Sequence, residues 1–160
     1  MKKLLLFIIL FSFSATAQIR VVDGDSLEIN NKKIRLIGID APEYYQTCFD
    51  EDGLEYDCGF DALEYLQNLI EKGQNRGDKV KCKKISVDKY NRDLSECFIG
   101  KTNINRAMVK SGYALSYWSD EYKKLENKAK KNKRGIFRGK YMRPELYRIL
   151  EKYKKDSKNI

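Results

Sequence analysis

The stretch Ile19-Arg20-Val21-Val22-Asp23-Gly24-Asp25-Ser26-Leu27-Glu28-Ile29-Asn30-Asn31-Lys32-Lys33-Ile34-Arg35-Leu36-Ile37-Gly38-Ile39-Asp40 decides the fold. Residues 19–22 and 27–29 read as short strands around the turn Asp23-Gly24-Asp25-Ser26. Asn30-Asn31 signals a hairpin, because asparagine tolerates left-handed backbone angles. Residues 33–39 read as a third strand, with Ile34 and Leu36 on one face and Arg35 on the other. Three strands joined by tight turns make a meander.

Beyond the meander, residues 41–57 carry acids, aromatics and Cys48, with Cys58 directly after them, and read as an irregular surface loop. From Phe60 the period changes: Leu63, Leu66, Leu69 and Ile70 recur at helical spacing, and Gly73 is placed to end that helix. Residues 79–87 and 94–99 read as two further strands around Asp88-Lys89-Tyr90-Asn91-Arg92-Asp93. A short helix over 104–109 ends at Ser111-Gly112, and a third helix covers 120–133 with Leu125 and Ala129 inside. The basic tail from Pro144 adds another helix or frays. The expected class is therefore α+β: a five-stranded Greek-key barrel of the OB type with about three helices packed on it.

Before the meander, Lys2 and Lys3 precede an apolar run over 4–13, and Ala15-Thr16-Ala17 offers small residues at the spacing a signal peptidase needs. A core of roughly ten residues suits a secretory leader and falls short of the ~20 that span a bilayer. The expected organisation is a signal peptide over 1–17, one domain over 18–143 and a basic C-terminal tail over 144–160. Loss of two lysines takes the formal charge from +9 to +7, a field that attracts polyanions such as nucleic acid. The protein is expected to be exported, to the periplasm or beyond, and to work as a monomer.

All four cysteines, Cys48, Cys58, Cys82 and Cys97, follow the leader. Outside the cytosol an even count indicates disulfides. Of the three connectivities, spacing favours Cys48–Cys58 and Cys82–Cys97, which close the shortest loops. Zinc requires closely spaced cysteine pairs or histidines, and the chain has neither. The absence of histidine excludes serine–histidine triads and histidine bases together. Hydrolysis must then use carboxylates, arginines, lysines, tyrosines or a hard metal ion.

Asp25 on its sharp turn and Asp40 at the end of the third strand can approach each other at one barrel rim. Two carboxylates with a backbone carbonyl and waters suit a hard cation such as Ca²⁺. Taken alone, an Asp-Gly-Asp turn does no more than make a turn. Arg35 and Arg92 each carry a planar fork that grips two phosphate oxygens, yet either one alone reads as a solvated charge. Glu43 follows Pro42 in a rigid turn, where a carboxylate can accept a proton from an attacking water.

Three strings change that balance: Val22-Asp23-Gly24-Asp25-Ser26-Leu27, Ile34-Arg35-Leu36-Ile37-Gly38-Ile39-Asp40-Ala41-Pro42-Glu43, and Asp88-Lys89-Tyr90-Asn91-Arg92. In order, placement and spacing they resemble the staphylococcal nuclease (thermonuclease) family, and the likeness runs from about Ile19 to Phe137. The resemblance implies that Asp25, Asp40 and the Ala41 carbonyl hold Ca²⁺, and that Arg35 and Arg92 grip phosphate with Glu43 as general base. It places Lys89 and Tyr90 near a bound nucleotide, and an aromatic among Tyr113, Tyr117 and Trp118 on the base, Trp118 being the residue chosen here.

Ala41 replaces the family's commoner threonine, and Asn91 stands where glycine is usual. The cysteine-bearing loop after Glu43 looks like that of exported members. The expected activity is calcium-dependent hydrolysis of phosphodiesters in DNA and possibly RNA with little sequence preference. The alternative is an OB domain that binds nucleic acid without cutting it, which would need neither Glu43 nor the intact acid and arginine set.

Overall fold

Asn30 and Asn31 both take positive φ, 50° and 65°, and so close the hairpin expected of them. The computed structural model describes residues 18–158, and the signal peptide expected over 1–17 lies outside the described residues. The strands are β1 (Ile19–Asp23), β2 (Ser26–Ile29), β3 (Lys32–Leu36), β4 (Ile39–Asp40), β5 (Cys48–Phe49), β6 (Glu55–Tyr56), β7 (Val80–Val87), β8 (Asp93–Ile99), β9 (Thr102–Asn103) and β10 (Leu115–Ser116). The helices are α1 (Cys58–Gln74), α2 (Ile104–Ser111), α3 (Asp120–Lys131) and α4 (Pro144–Ser157), with a 3₁₀ turn at Gly135–Arg138.

The main sheet runs β1-β2-β3-β8-β7, with β3 and β8 parallel and the other pairs antiparallel. This is the α+β, OB-type architecture. Among the described residues no ladder joins β1 to β7, so the barrel is open along that seam rather than closed. Helix α1 packs against both β1 and β8. The core is formed by Leu27, Ile34, Leu36, Ile99, Leu66 from α1 and Met108 from α2. Among the described residues the helices number four rather than about three, because the tail from Pro144 is helical. No described helix is long and apolar enough to cross a membrane.

The expected third strand is two strands. Gly38 takes φ +79° and breaks the extended backbone after β3. Residues 39–40 then leave the main sheet and pair with β10, Leu115 opposite Asp40 and Ser116 opposite Ile39. Buried Asn105 holds the break in place: its side chain donates to the Ile37 and Ser95 carbonyls at 2.9 and 3.1 Å and accepts from the Cys97 amide at 3.0 Å.

Gly73 also departs from expectation. It does not end α1, which begins at Cys58 rather than Phe60 and runs past Gly73 to Gln74. Gly73 is there because a Cβ would sit 2.1 Å from Ile99 Cγ1, so only glycine lets the helix seat on β8. Residues 41–57 are less irregular than the sequence suggests, since β5 and β6 form a small hairpin within them.

Both disulfides pair as the spacing favoured. Cys48–Cys58 ties β5 to the start of α1, and Cys82–Cys97 links directly opposed residues of β7 and β8. Crosslinks closing loops of this size restrict the unfolded chain by about 3 kcal/mol. Replacing Cys82 and Cys97 together by alanine should lower unfolding free energy by about that amount in a denaturant titration. An unchanged midpoint would show that the crosslink adds nothing to the hairpin.

Small residues bring the first turn of α1 against the loop that leaves β4. A Cβ on Gly59 would lie 1.8 Å from the Glu43 carbonyl oxygen and 2.6 Å from that of Tyr44. A Cβ on Gly24 would lie 2.7 Å from Ala41 Cβ and 2.8 Å from Ala62 Cβ. Gly59→Ala should therefore destabilise the protein by about 2 kcal/mol, the usual scale of overpacking, although alanine is the better helix former. Urea unfolding of the variant reads this directly, and a stabilised variant would contradict the packing argument.

Candidate active site

Asp25 and Asp40 are each 2 % exposed, and one guanidinium nitrogen bridges them. Arg35 Nη2 lies 2.8 Å from Asp25 Oδ2 and 2.9 Å from Asp40 Oδ1. The β2–β3 register brings this about: Ser26 opposes Arg35, so the turn residue before Ser26 faces the guanidinium. Asp25 Oδ2 also accepts the Ala41 amide at 3.0 Å, and Asp25 Oδ1 accepts the Ser26 hydroxyl at 3.0 Å. The Asp25 amide is bonded in turn to Asp23 Oδ1 at 2.9 Å. The local sequence thus builds a rim on which two carboxylates converge, as the sequence required.

Asp40 is held from its other side. Leu115 pairs with Asp40 across β10–β4, and the neighbouring Ser116 amide donates to Glu126 Oε2 of α3 at 3.1 Å. Glu126 is fully buried. Burial raises the pKa of its carboxyl, but the bonds from Lys130 and the Ser116 amide outweigh this and hold it below the usual value. Helix α3 is thereby a support for Asp40, through one strand.

The charge balance at the rim is uneven. Burial pushes the Asp25 carboxyl up to about 8, against the pull of Arg35. Burial also disfavours the Arg35 cation, yet Asp25 and Asp40 outweigh it and the guanidinium pKa is raised. One guanidinium shared between two buried carboxylates leaves Asp25 short of positive charge. The donor set is hard oxygen, two carboxylates converging on one point with the Ala41 backbone beside them, and it fits a divalent cation such as calcium. Among the described residues no third acid joins them, so the remaining ligands would be carbonyl, water or substrate oxygens.

Arg35, which bridges the two acids, also lines a cleft of about 640 Å³ whose other walls include Asp23, Glu43, Lys89, Tyr90, Arg92, Tyr117 and Arg148. Arg92 is presented by the β7–β8 turn, where Asn91 takes φ 60°. Asp88 fixes that turn, accepting the Tyr90 and Arg92 amides at 2.9 and 3.0 Å and Arg92 Nε at 2.8 Å. Burial works against the charged form of Asp88, but those bonds prevail and lower its pKa. The Lys89 ammonium and the Arg92 guanidinium lie 5.1 and 5.5 Å from the Tyr90 ring centre. Both cations line the cleft.

The three aromatics after α2 separate. Tyr113 stacks on Tyr65 of α1, with centroids 4.6 Å apart, and packs against the core. Tyr117 lines the cleft. Trp118 is 93 % exposed at φ 52° and stacks flat on Tyr117 at 4.9 Å rather than forming the wall itself. The sequence points to Trp118, whereas Tyr117 is the one at the wall.

Two residues of the site gave no sign in the sequence. Arg148, on the second turn of α4, donates to Asp40 Oδ1 and Oδ2 at 3.0 and 3.2 Å and to Glu43 Oε1 at 2.7 Å. Gln46, fully buried, donates to the Met142 carbonyl at 2.7 Å and accepts the Glu43 amide at 3.3 Å, tying the Glu43 turn to the segment that leads into α4. A basic tail and a polar loop residue are common, and only the folded chain brings them together.

An OB-type barrel thus carries two buried carboxylates, a nearby glutamate and several arginines beside one cleft. Residues 33–138 match the family described as Staphylococcal nuclease homologue, and the chain belongs to that family. Asp25 and Arg148 lie on either side of the matched stretch.

Among curated relatives, the chain is 33 % identical over 126 residues to the "Succinoglycan biosynthesis protein ExoI" of Rhizobium meliloti, covering 76 % of this chain and 63 % of that protein. It is 35 % identical over 126 residues to the "Probable endonuclease LCL3" of Komagataella phaffii, covering 69 % and 51 %. It is 33 % identical over 138 residues to the "Endonuclease YhcR" of Bacillus subtilis, covering 74 % of this chain and 11 % of that protein. The chain therefore spans less than two thirds of the length of each of these relatives.

Removing Arg35 should expose how much charge the rim carries. In a calcium-free guanidinium titration, Arg35→Met should cost about 3 kcal/mol, because it leaves buried Asp25 without its cation. Arg92→Met, which breaks an ion pair with Asp88 on a surface turn, should cost less than about 1 kcal/mol. Equal losses in the two variants would refute this ranking.

Proposed function

We propose that the protein is an exported, calcium-dependent nuclease that acts as a monomer on DNA, and on RNA, with little sequence preference. The observation that carries this reading is the convergence of Asp25 and Asp40 on one point beside a cleft that also holds Glu43, Arg35 and Arg92. Nuclease names among the relatives support it, as does the net charge of +9, which favours a polyanionic substrate. The two disulfides and the apolar segment over 4–13 support export.

Asp25, Asp40 and the Ala41 carbonyl would hold the calcium ion. When bound, it supplies positive charge to a phosphate oxygen and helps to order a water. The chain's own groups do the rest. Arg35 and Arg92 bind the scissile phosphate from two sides and stabilise charge that grows on its equatorial oxygens, the contribution that usually dominates such reactions. Glu43 takes the proton of the attacking water, or orients that water for in-line attack at phosphorus.

Lys89 contacts a neighbouring phosphate. Tyr90 and Tyr117, with Trp118 stacked behind Tyr117, offer rings on which bases stack without being read. Contacts of this kind position a strand and leave its sequence unread. Glu43 and the acid pair separate this function from simple nucleic-acid binding, which needs only cations and aromatic faces.

Digestion of single- and double-stranded DNA and RNA with calcium titrated tests the reading. Wild-type protein should release acid-soluble nucleotide only with calcium present. Asp25→Asn and Glu43→Gln should each lose at least about 100-fold in rate while retaining the fold. Cleavage that persists undiminished in EDTA, or in the Glu43→Gln protein, would defeat it.

A further inference from the structure

Arg148 reaches Asp40 across 108 residues of sequence and Glu43 across 105, from a helix outside the stretch that matches the family. Its fork covers both oxygens of Asp40: Nη1 takes Oδ1 at 3.0 Å and Nη2 takes Oδ2 at 3.2 Å. Asp40 Oδ1 already accepts Arg35 Nη2 at 2.9 Å. A carboxylate oxygen offers about two lone-pair directions, so Oδ1 is fully used and Oδ2 partly so. A divalent cation needs a direct bond of about 2.3–2.6 Å to one of these oxygens, along a direction that an arginine N–H now takes. Arg35 also bridges to Asp25, and can turn toward substrate without leaving the rim. Arg148 has no such second acid at the metal rim; its other partner is Glu43.

Helix α4 is otherwise lightly held. Only Pro144 is buried in it, and residues 151–158 are all exposed. Apart from Arg148, its polar ties to the domain are the Tyr147 hydroxyl to the Tyr45 carbonyl at 3.2 Å and the Gln46 bond to Met142 just before the helix. An internal cation on a loosely docked helix is well placed to exchange with one from solution.

We propose that Arg148 is a positioning residue that neutralises Asp40 and Glu43 in the unloaded protein and sets the site's affinity for a divalent cation by competing with it. The proposal rests on the calcium reading above. Loading transfers Asp40 from the Arg148 fork to the cation, leaves Arg148 beside Glu43 in the cleft and loosens α4.

The sign of the effect separates competition from simple structural support. A helix that merely braced Asp40 would, on losing its arginine, leave the site weaker. A competitor removed leaves it stronger. Calorimetric titration of calcium into the full chain should show Arg148→Gln binding about tenfold more tightly than wild type, with Arg148→Lys in between. Circular dichroism in EDTA checks that each variant is folded.

Equal or weaker calcium binding by folded Arg148→Gln overturns the proposal and leaves the calcium reading standing. Absence of calcium binding in wild type and both variants overturns both. The wild-type chain gives an independent readout. Calcium should accelerate amide exchange across residues 144–150, and unchanged or slowed exchange contradicts the proposal.

Discussion

Two carboxylates with almost no solvent, sharing one guanidinium nitrogen, are the constraint around which this molecule is arranged. Burying an acid is costly unless charge and hydrogen bonds compensate for it. The compensation for Asp25 comes from Arg35, Ser26 and the Ala41 amide, which requires β2, β3 and the strand break at Gly38 to keep their register. The compensation for Asp40 comes from Arg35 and Arg148, while β10 fixes its backbone and Glu126 fixes β10. Elements from residue 19 to residue 148 thus meet at one pair of acids. A fold optimised for stability alone would fill that rim with apolar side chains, so the charge there points to use.

The same reasoning explains the glycines that matter. Gly59 and Gly24 let α1 approach the loop carrying Ala41 and Glu43, and Gly73 lets the far end of that helix rest on Ile99. The helix is clamped at both ends by positions where no side chain fits. The loop bearing Glu43 is fixed by this contact, by the Cys48–Cys58 bridge and by buried Gln46.

Much of this was legible in the sequence because it is local. The alternation of Ile34, Arg35 and Leu36 placed the arginine opposite the core face, and Asn30-Asn31 announced its turn. The spacing of four cysteines gave the disulfides. The acids and arginines of the cleft were legible only jointly, since each alone reads as an ordinary turn or surface charge. What escaped was tertiary. Gly73 looks like a helix terminator until Ile99 is packed against it, and Gly38 ends a strand only because Ile39 and Asp40 find β10. Tyr117 and Trp118 differ by one residue, and the left-handed backbone at Trp118 decides which ring faces the cleft. Arg148 lies in a charged tail with no periodic or motif signal, so its contact with Asp40 could be learned only from the folded chain.

The rim of Asp25 and Asp40, bridged by arginine, is proposed as the seat of a hard cation. A crystal structure grown in calcium tests it most directly. An ion is expected between the two carboxylates at about 2.3–2.6 Å from each, with Arg35 no longer bridging them. A structure in saturating calcium in which Arg35 still bridges Asp25 and Asp40, and no ion lies between them, would contradict it.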